Sequence, residues 1–350
     1  MKALRYAVVD GPLDLLDVPA PRCPDDGVVV DVAATGVCRS DWHAWRGHDP
    51  VTLPHTPGHE LAGVVSSVGR DVRNWSVGDR VTVPFVLACG RCEFCLAGHG
   101  QICPFQEQPG FTLPGSFAEQ VALPRADANL VRVPDDVDLV AAAALGCRFA
   151  TAFRGLTAHG RVQPGQWVAV HGCGGVGLSA VMIAVALGAR VVAVDLSQPA
   201  LELATTLGAT AAVAAGPGVD TAAAVLDITG GGAHVGVDAI GQPSAALASV
   251  ASLRRRGRHV QIGLLLGEQA RTALPMDLVI SRELEIYGSH GMAAHEYPAM
   301  LAAVADGRLH PERLVGTVIP FGQGTGVLAA MNHPTGPGMT VLEMSTGTAR

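Results

Sequence analysis

An α/β fold in two parts is what this sequence predicts, and three observations carry the prediction. Up to about residue 135, short β-branched runs are broken by Gly and Pro, the texture of a rolled sheet with loops. From about Leu139, long Ala-rich helical stretches alternate with short apolar strands, which specifies a parallel sheet covered by helices. Between them in character, Val168-Ala169-Val170-His171 runs straight into a glycine-rich turn and then a helical run, Leu178 to Leu187. At 350 residues the chain exceeds what one small core organises, so two domains are expected.

In the first part, Val28 to Val32, Leu61 to Val68, Arg80 to Phe85 and Phe117 to Leu123 read as strands. In the second, Trp167 to His171, Arg190 to Asp195, His234 to Ala239 and His259 to Gly263 do. After Gly288 a helical pattern, Glu296 to Asp306, precedes two more strands, Val315 to Pro320 and Met339 to Met344, and Ser345 to Arg350 read as frayed.

Composition narrows the function classes. With 49% hydrophobic and 16% charged residues the chain has ample core-forming material, which excludes a disordered protein. The net charge of −7 comes from scattered carboxylates. The one basic run, Arg254-Arg255-Arg256, reads as a solvated helix end, so neither nucleic acid nor an anionic membrane is an expected partner. The first residues lack an apolar leader pattern and no stretch reaches a charge-free membrane span, from which a cytoplasmic protein is expected.

The turn Gly172-Cys173-Gly174-Gly175-Val176-Gly177 follows its strand as G-x-G-x-x-G. Gly172 permits a tight turn, Gly174 lets backbone approach a pyrophosphate, and Gly177 lets helix and strand pack closely. With Gly175 and Val176, they open a helix whose free N–H groups suit phosphate oxygens. The next strand ends at Asp195, 18 residues beyond Gly177, where a carboxylate accepts hydrogen bonds from ribose hydroxyls. That acid favours NAD over NADP.

Four of the eight cysteines, Cys89, Cys92, Cys95 and Cys103, crowd into fifteen residues as C-x2-C-x2-C-x7-C. Four thiolates complete a tetrahedral shell, so a zinc there is structural, and it must order a loop with few apolar residues. The rival reading is an iron–sulfur run, which also has a Pro after its last Cys, here Pro104, but with a last spacing of three instead of seven. A second set is dispersed: Cys38, His59-Glu60 and Cys147. Two thiolates and one imidazole would leave a fourth zinc position open, as Lewis-acid catalysis requires. Singly, each residue reads as an ordinary buried Cys or His.

Taken in order, these segments resemble the zinc-containing medium-chain dehydrogenase/reductase family, alcohol dehydrogenase type, over almost the whole chain. The resemblance implies a GroES-like catalytic domain, 1–148 completed by 290–350, and a Rossmann NAD-binding domain, 149–289. It implies Cys38, His59 and Cys147 as ligands of a catalytic zinc, with Glu60 as a transient one, and hence two zinc ions per subunit. It implies that Asp41 orients His59, although Asp41 also reads as a helix cap, and that Arg39 contacts the pyrophosphate. Ser40 and His43 match a relay that hands the substrate proton to solvent.

The implied activity is reversible hydride transfer between a primary or secondary alcohol and NAD, in a homo-oligomer. Near the C-terminus, Thr335 to Val341 lack the basic residue that some relatives place against the pyrophosphate, which shifts that burden to Arg39 and the helix dipole. Trp42, Trp45, Phe85 and Phe111 fall in expected pocket segments and favour an apolar or aromatic substrate. The alternatives are a polyol dehydrogenase, many of which use Glu where Cys147 stands, and a zinc- and nucleotide-binding redox sensor acting through Cys23 or Cys173.

Overall fold

The computed structural model describes residues 1–333 and 336–344; the expected fraying of Ser345 to Arg350, and Thr335 of the segment just discussed, lie outside them. Two large sheets organise the described chain, beside a small one in which Lys2–Arg5 pairs antiparallel with Asp14–Asp17. One is wholly parallel, in the spatial order Ala211–Ala214, Arg190–Asp195, Trp167–His171, Ala233–Asp238, Leu253–Gln261, Glu285–Gly288. The earliest strand lies in the middle and the order reverses beside it, so a crevice opens at the carboxyl ends of Trp167–His171 and Ala233–Asp238. In the three central strands, Arg190–Asp195, Trp167–His171 and Ala233–Asp238, buried valines and alanines make near-continuous apolar runs, as a helix-covered parallel sheet demands.

The helix Gly175–Ala186 has every residue from Gly177 to Ala184 buried, because it is sandwiched between the sheet and neighbouring helices. A helix so enclosed carries no polar stripe, which is why its sequence reads as apolar all round.

The other sheet is mixed. Its central strand, Val28–Val37, pairs antiparallel with Glu60–Val68, Gln120–Leu123 and Met339–Glu343, and the last of these pairs parallel with Val315–Pro320. Strands from both chain ends therefore complete one sheet. Pairing on both sides extends the central strand five residues past the expected Val32, through Ala33-Ala34-Thr35-Gly36, whose alanines and glycine have low strand propensity. Conversely, Arg80 to Phe85 shortens to Arg80–Thr82, just before Pro84.

One expectation fails outright. Arg254-Arg255-Arg256 is no helix end: the helix Pro243–Ala251 stops earlier, and the three arginines lie exposed at the start of the strand Leu253–Gln261. There Arg254 Nη1 lies 2.7 Å from His234 Nε2, and Arg255 donates to the Ser281 carbonyl at 2.8 Å. No described helix is long and apolar enough to cross a membrane.

Candidate metal and coenzyme sites

Sheet register brings the dispersed residues together. Gly36 pairs with Glu60 across the antiparallel ladder, so Cys38, just past one strand, and His59, just before the other, emerge at the same end. Cys147 arrives from a wide π-type turn, Leu145–Phe149, that interrupts the helical run after Leu139. One ligand atom from each of Cys38, His59, Glu60 and Cys147 lies within 4.8 Å of the others.

The imidazole of His59 is 1% exposed and held from behind: its Nδ1 lies 2.9 Å from Asp41 Oδ1. Its Nε2 is buried with no hydrogen-bond partner. An orphaned ring nitrogen facing two thiols fits a metal ion, since a buried polar atom left unpaired is otherwise costly. Asp41 also accepts from the N–H groups of Gly58 and Cys38, each at 3.0 Å. The same carboxylate thus reaches both the Cys38 N–H at the start of the helix Arg39–Trp45 and the His59 ring.

The electrostatics suit a cation. Hydrogen bonding from Cys147 holds the Cys38 thiol well below its ordinary value, against the upward push of burial. The same bond and burial push Cys147 well above. Burial would lower His59, but Asp41 and Cys38 outweigh it and hold the ring well above the usual imidazole range. Without a cation, protons must sit among these groups, and a divalent ion displaces them.

Glu60 is engaged on its far side by Arg148, whose backbone N–H and Nε reach Oε1 at 3.1 and 2.9 Å and whose Nη2 pairs with Oε2. Burial raises the Glu60 carboxyl and Arg148 only partly offsets it. Sequence reasoning missed Arg148, although a lone arginine after Cys147 in an otherwise apolar run was a visible signal.

The arginine also touches the coenzyme turn. A Cβ at Gly175 would stand 2.6 Å from Arg148 Cδ, so the turn needs glycine at a position that the G-x-G-x-x-G pattern leaves open. Gly172 has φ +97°, and a Cβ at Gly177 would sit 1.7 Å from the Gly172 carbonyl oxygen, so both need glycine as expected. Gly174 faces open space, which leaves room for close approach of a ligand. Leu178 N–H is the first to bond within the helix, to Gly174 at 2.8 Å, so the N–H groups of Gly175, Val176 and Gly177 precede the ladder. Asp195 lies beside this turn, accepting from Cys173 N–H at 2.6 Å and Ser197 N–H at 2.8 Å. Asp238, also missed, accepts from Ile240 and Gly241 N–H at 2.8 and 3.0 Å and so shapes the facing loop.

The four lobe cysteines have their sulfurs within 4.8 Å of one another, with pairs at 3.4, 3.8 and 3.9 Å. Zinc–sulfur bonds of about 2.3 Å give tetrahedral edges near ~3.8 Å, while a disulfide needs about 2.0 Å. The spacing suits a single ion; several irons would hold the sulfurs farther apart. Amide N–H groups of Cys89 and Phe105 already point at the Cys103 sulfur, at 3.3 and 3.4 Å.

Around the orphaned nitrogen, Phe111 and Phe85 stand edge-on to His59 at 5.3 and 6.3 Å, and His290, also missed, lies 5.1 Å from Phe85. Trp45 is not among them: it is buried in the core of the mixed sheet, its Nε1 donating to the Gly11 carbonyl at 2.7 Å. It shares with Asp41 and Ala44 the buried face of the helix Arg39–Trp45, a face that packs against the mixed sheet. Trp42 stands at the edge, under the Arg39 guanidinium at 4.8 Å, while Arg39 donates to the Met331 carbonyl at 2.8 Å. Ser40 Oγ lies 3.8 Å from Cys38 Sγ. Cys173 is buried and its thiol pushed up to about 12 by burial and Asp195, which disfavours the reactive thiolate.

Comparison with known proteins agrees. The family described as alcohol dehydrogenase GroES-like domain matches residues 24–135, and that described as zinc-binding dehydrogenase matches 175–306. An alcohol dehydrogenase of Geobacillus stearothermophilus is 39% identical over 268 residues, covering 75% of this chain and 78% of its own. A second from the same organism is 34% identical over 302 residues, covering 85% and 87%. A crystal structure described as an NAD-dependent alcohol dehydrogenase superposes with TM-score 0.87 at 32% identity, covering 98% of this chain and 99% of that one.

The chain belongs to the zinc-containing medium-chain alcohol dehydrogenase family, with its GroES-like and Rossmann folds. It is an oxidoreductase of the alcohol dehydrogenase type.

Proposed function

We propose that this chain oxidises small apolar or aromatic alcohols, reversibly, with NAD as hydride acceptor and two zinc ions per subunit. The reading rests above all on the buried His59, whose Nδ1 is fixed by Asp41 and whose Nε2 is left facing Cys38 and Cys147. Those three residues would hold the catalytic ion; Cys89, Cys92, Cys95 and Cys103 would hold the structural one. When bound, zinc stabilises negative charge developing on the alcohol oxygen, and NAD takes the hydride.

The chain's own residues do the rest. Asp41 fixes the tautomer of His59. Arg39 and the N-terminus of Gly175–Ala186 meet the pyrophosphate, with Gly172, Gly174 and Gly177 shaping its turn, and Asp195 receives the ribose hydroxyls and repels the NADP phosphate. Ser40 and His43 pass the substrate proton outward. Glu60 serves as the exchangeable carboxylate, held back by Arg148. Phe85 and Phe111 beside His59 favour an apolar tail over a polyol, whose hydroxyls need several hydrogen-bond partners. Residues 1–148 with 290–350 form the catalytic unit and 149–289 the coenzyme unit of a cytoplasmic homo-oligomer, where reducing conditions keep the cysteines as thiols.

A panel of alcohols and aldehydes assayed with both coenzymes, alongside zinc quantification, tests this. Two zinc ions per chain and turnover preferring NAD are expected. Apolar alcohols that fail while sugar alcohols react would reverse the substrate reading.

A further inference from the structure

The histidine expected to deliver the proton does not end the chain of hydrogen-bonding groups. His43 Nδ1 lies 3.0 Å from Nδ1 of His48, a residue no sequence motif marked. His48 is exposed, whereas the ring of His43 is half-buried.

The approach is built by the backbone. The helix Arg39–Trp45 ends at Arg46, Gly47 adopts φ +74°, and the chain folds back so that Gly47 N–H bonds the Ala44 carbonyl at 3.0 Å and His48 N–H bonds the His43 carbonyl at 2.9 Å. This double bond pattern at a glycine closes a helix end and fixes the residue after the glycine over the last turn. Trp42 braces both rings edge-on, at 5.0 Å from His43 and 5.5 Å from His48, and its own Nε1 is tied to Asn332 Oδ1 at 2.8 Å.

We propose that His48 is the terminal member of the proton relay, taking the proton from His43 and releasing it to water. The inference rests on the relay reading of His43 given above. Neutral His43 carries its proton on Nδ1 and hydrogen-bonds it to the bare Nδ1 of His48. A proton arriving at His43 Nε2 from the substrate side makes an imidazolium; the Nδ1 proton crosses to His48, and His48 sheds its Nε2 proton to solvent. One proton enters and one leaves, and exchange with water returns both rings to their starting tautomers.

The surroundings support outward transfer. Burial lowers the His43 imidazole, and His48 and Arg39 lower it further, against a weaker upward pull from Cys38. Arg46 also faces this cluster but is paired to Asp10 at 2.6 Å, and Met331 and Asn332 bring no charge. A cation formed on His43 is therefore disfavoured relative to one at the solvent edge.

Two measurements on the zinc-loaded protein test this. In single-turnover oxidation of benzyl alcohol by NAD, His48→Gln should slow hydride transfer about threefold to tenfold near pH 6, with little change near pH 9, and added imidazole should restore the rate. By nitrogen-15 NMR, His48→Gln should shift the titration of His43 upward, since the His48 ring is one of the groups that lower it. An unchanged rate profile together with an unchanged His43 titration in His48→Gln overturns the proposal. If His43→Gln alters the rate profile and His48→Gln does not, the relay stands and its extension fails. If neither variant alters it, the relay reading of His43 itself is wrong.

Discussion

Arg148 grips both oxygens of Glu60 while its stem presses on Gly175, so one buried side chain links the metal-ligand cluster to the first residue of the coenzyme helix. The pair is buried, and charges so placed are expensive to leave single.

Replacing Arg148 with Gln strands the Glu60 carboxylate. The expected cost is about 3–5 kcal/mol of stability, read from urea midpoints. The Glu60→Gln, Arg148→Met double variant should recover much of that loss, since neither charge remains. Equal instability of single and double variants would show that Arg148 acts through packing alone.

Asp195→Gly should raise the KM for NAD and relax discrimination against NADP by about tenfold to a hundredfold, the worth of hydrogen bonds to a charged group. Cys173 and Ser197 N–H lose their acceptor in this variant, so thermal stability should also fall slightly. Unaltered coenzyme preference would move ribose recognition to another residue.

His171, directly before the glycine turn, is pushed down to about 4, first by burial and then by the nearby His259. Its folded value is depressed, so its contribution to stability is complete above the unfolded value of about 6.5 and is lost as pH falls toward 4. Roughly 3 kcal/mol is at stake over that window. Urea midpoints measured from neutral to acid pH should fall for the wild type and fall less steeply for His171→Gln. Parallel curves would assign acid sensitivity to other groups.

Chelation separates the two metal sites. The lobe has no described helix longer than Glu93–Leu96 and exposes Leu96, Ile102 and Phe105, so its order should depend on an ion held by its four cysteines. Cys103→Ser should remove one zinc per chain and increase amide exchange across 89–105 before it affects the parallel sheet. Undisturbed exchange there would mean that the lobe folds without metal.

What the sequence disclosed was local. The glycine turn, its strand and helix, and the cysteine lobe are each contained in one short segment, so spacing alone displayed their chemistry. The set of Cys38, His59 and Cys147 was reached through family resemblance, because it depends on strand register across residues far apart in the chain. Arg148, Asp238, His290 and His48 escaped notice for a related reason. Each acts through a contact whose partner lies on another segment or across a fold-back, and no periodicity marks it. Trp45 was misplaced because helical facing, which buries it against the mixed sheet, was not weighed.

The most direct measurement of the central claim is zinc-edge anomalous diffraction from crystals of active protein. A peak bonded to Cys38 Sγ, His59 Nε2 and Cys147 Sγ is expected in the wild type, vanishing with turnover in Cys38→Ser while the lobe peak persists. Turnover in crystals with no metal between those three atoms would contradict it.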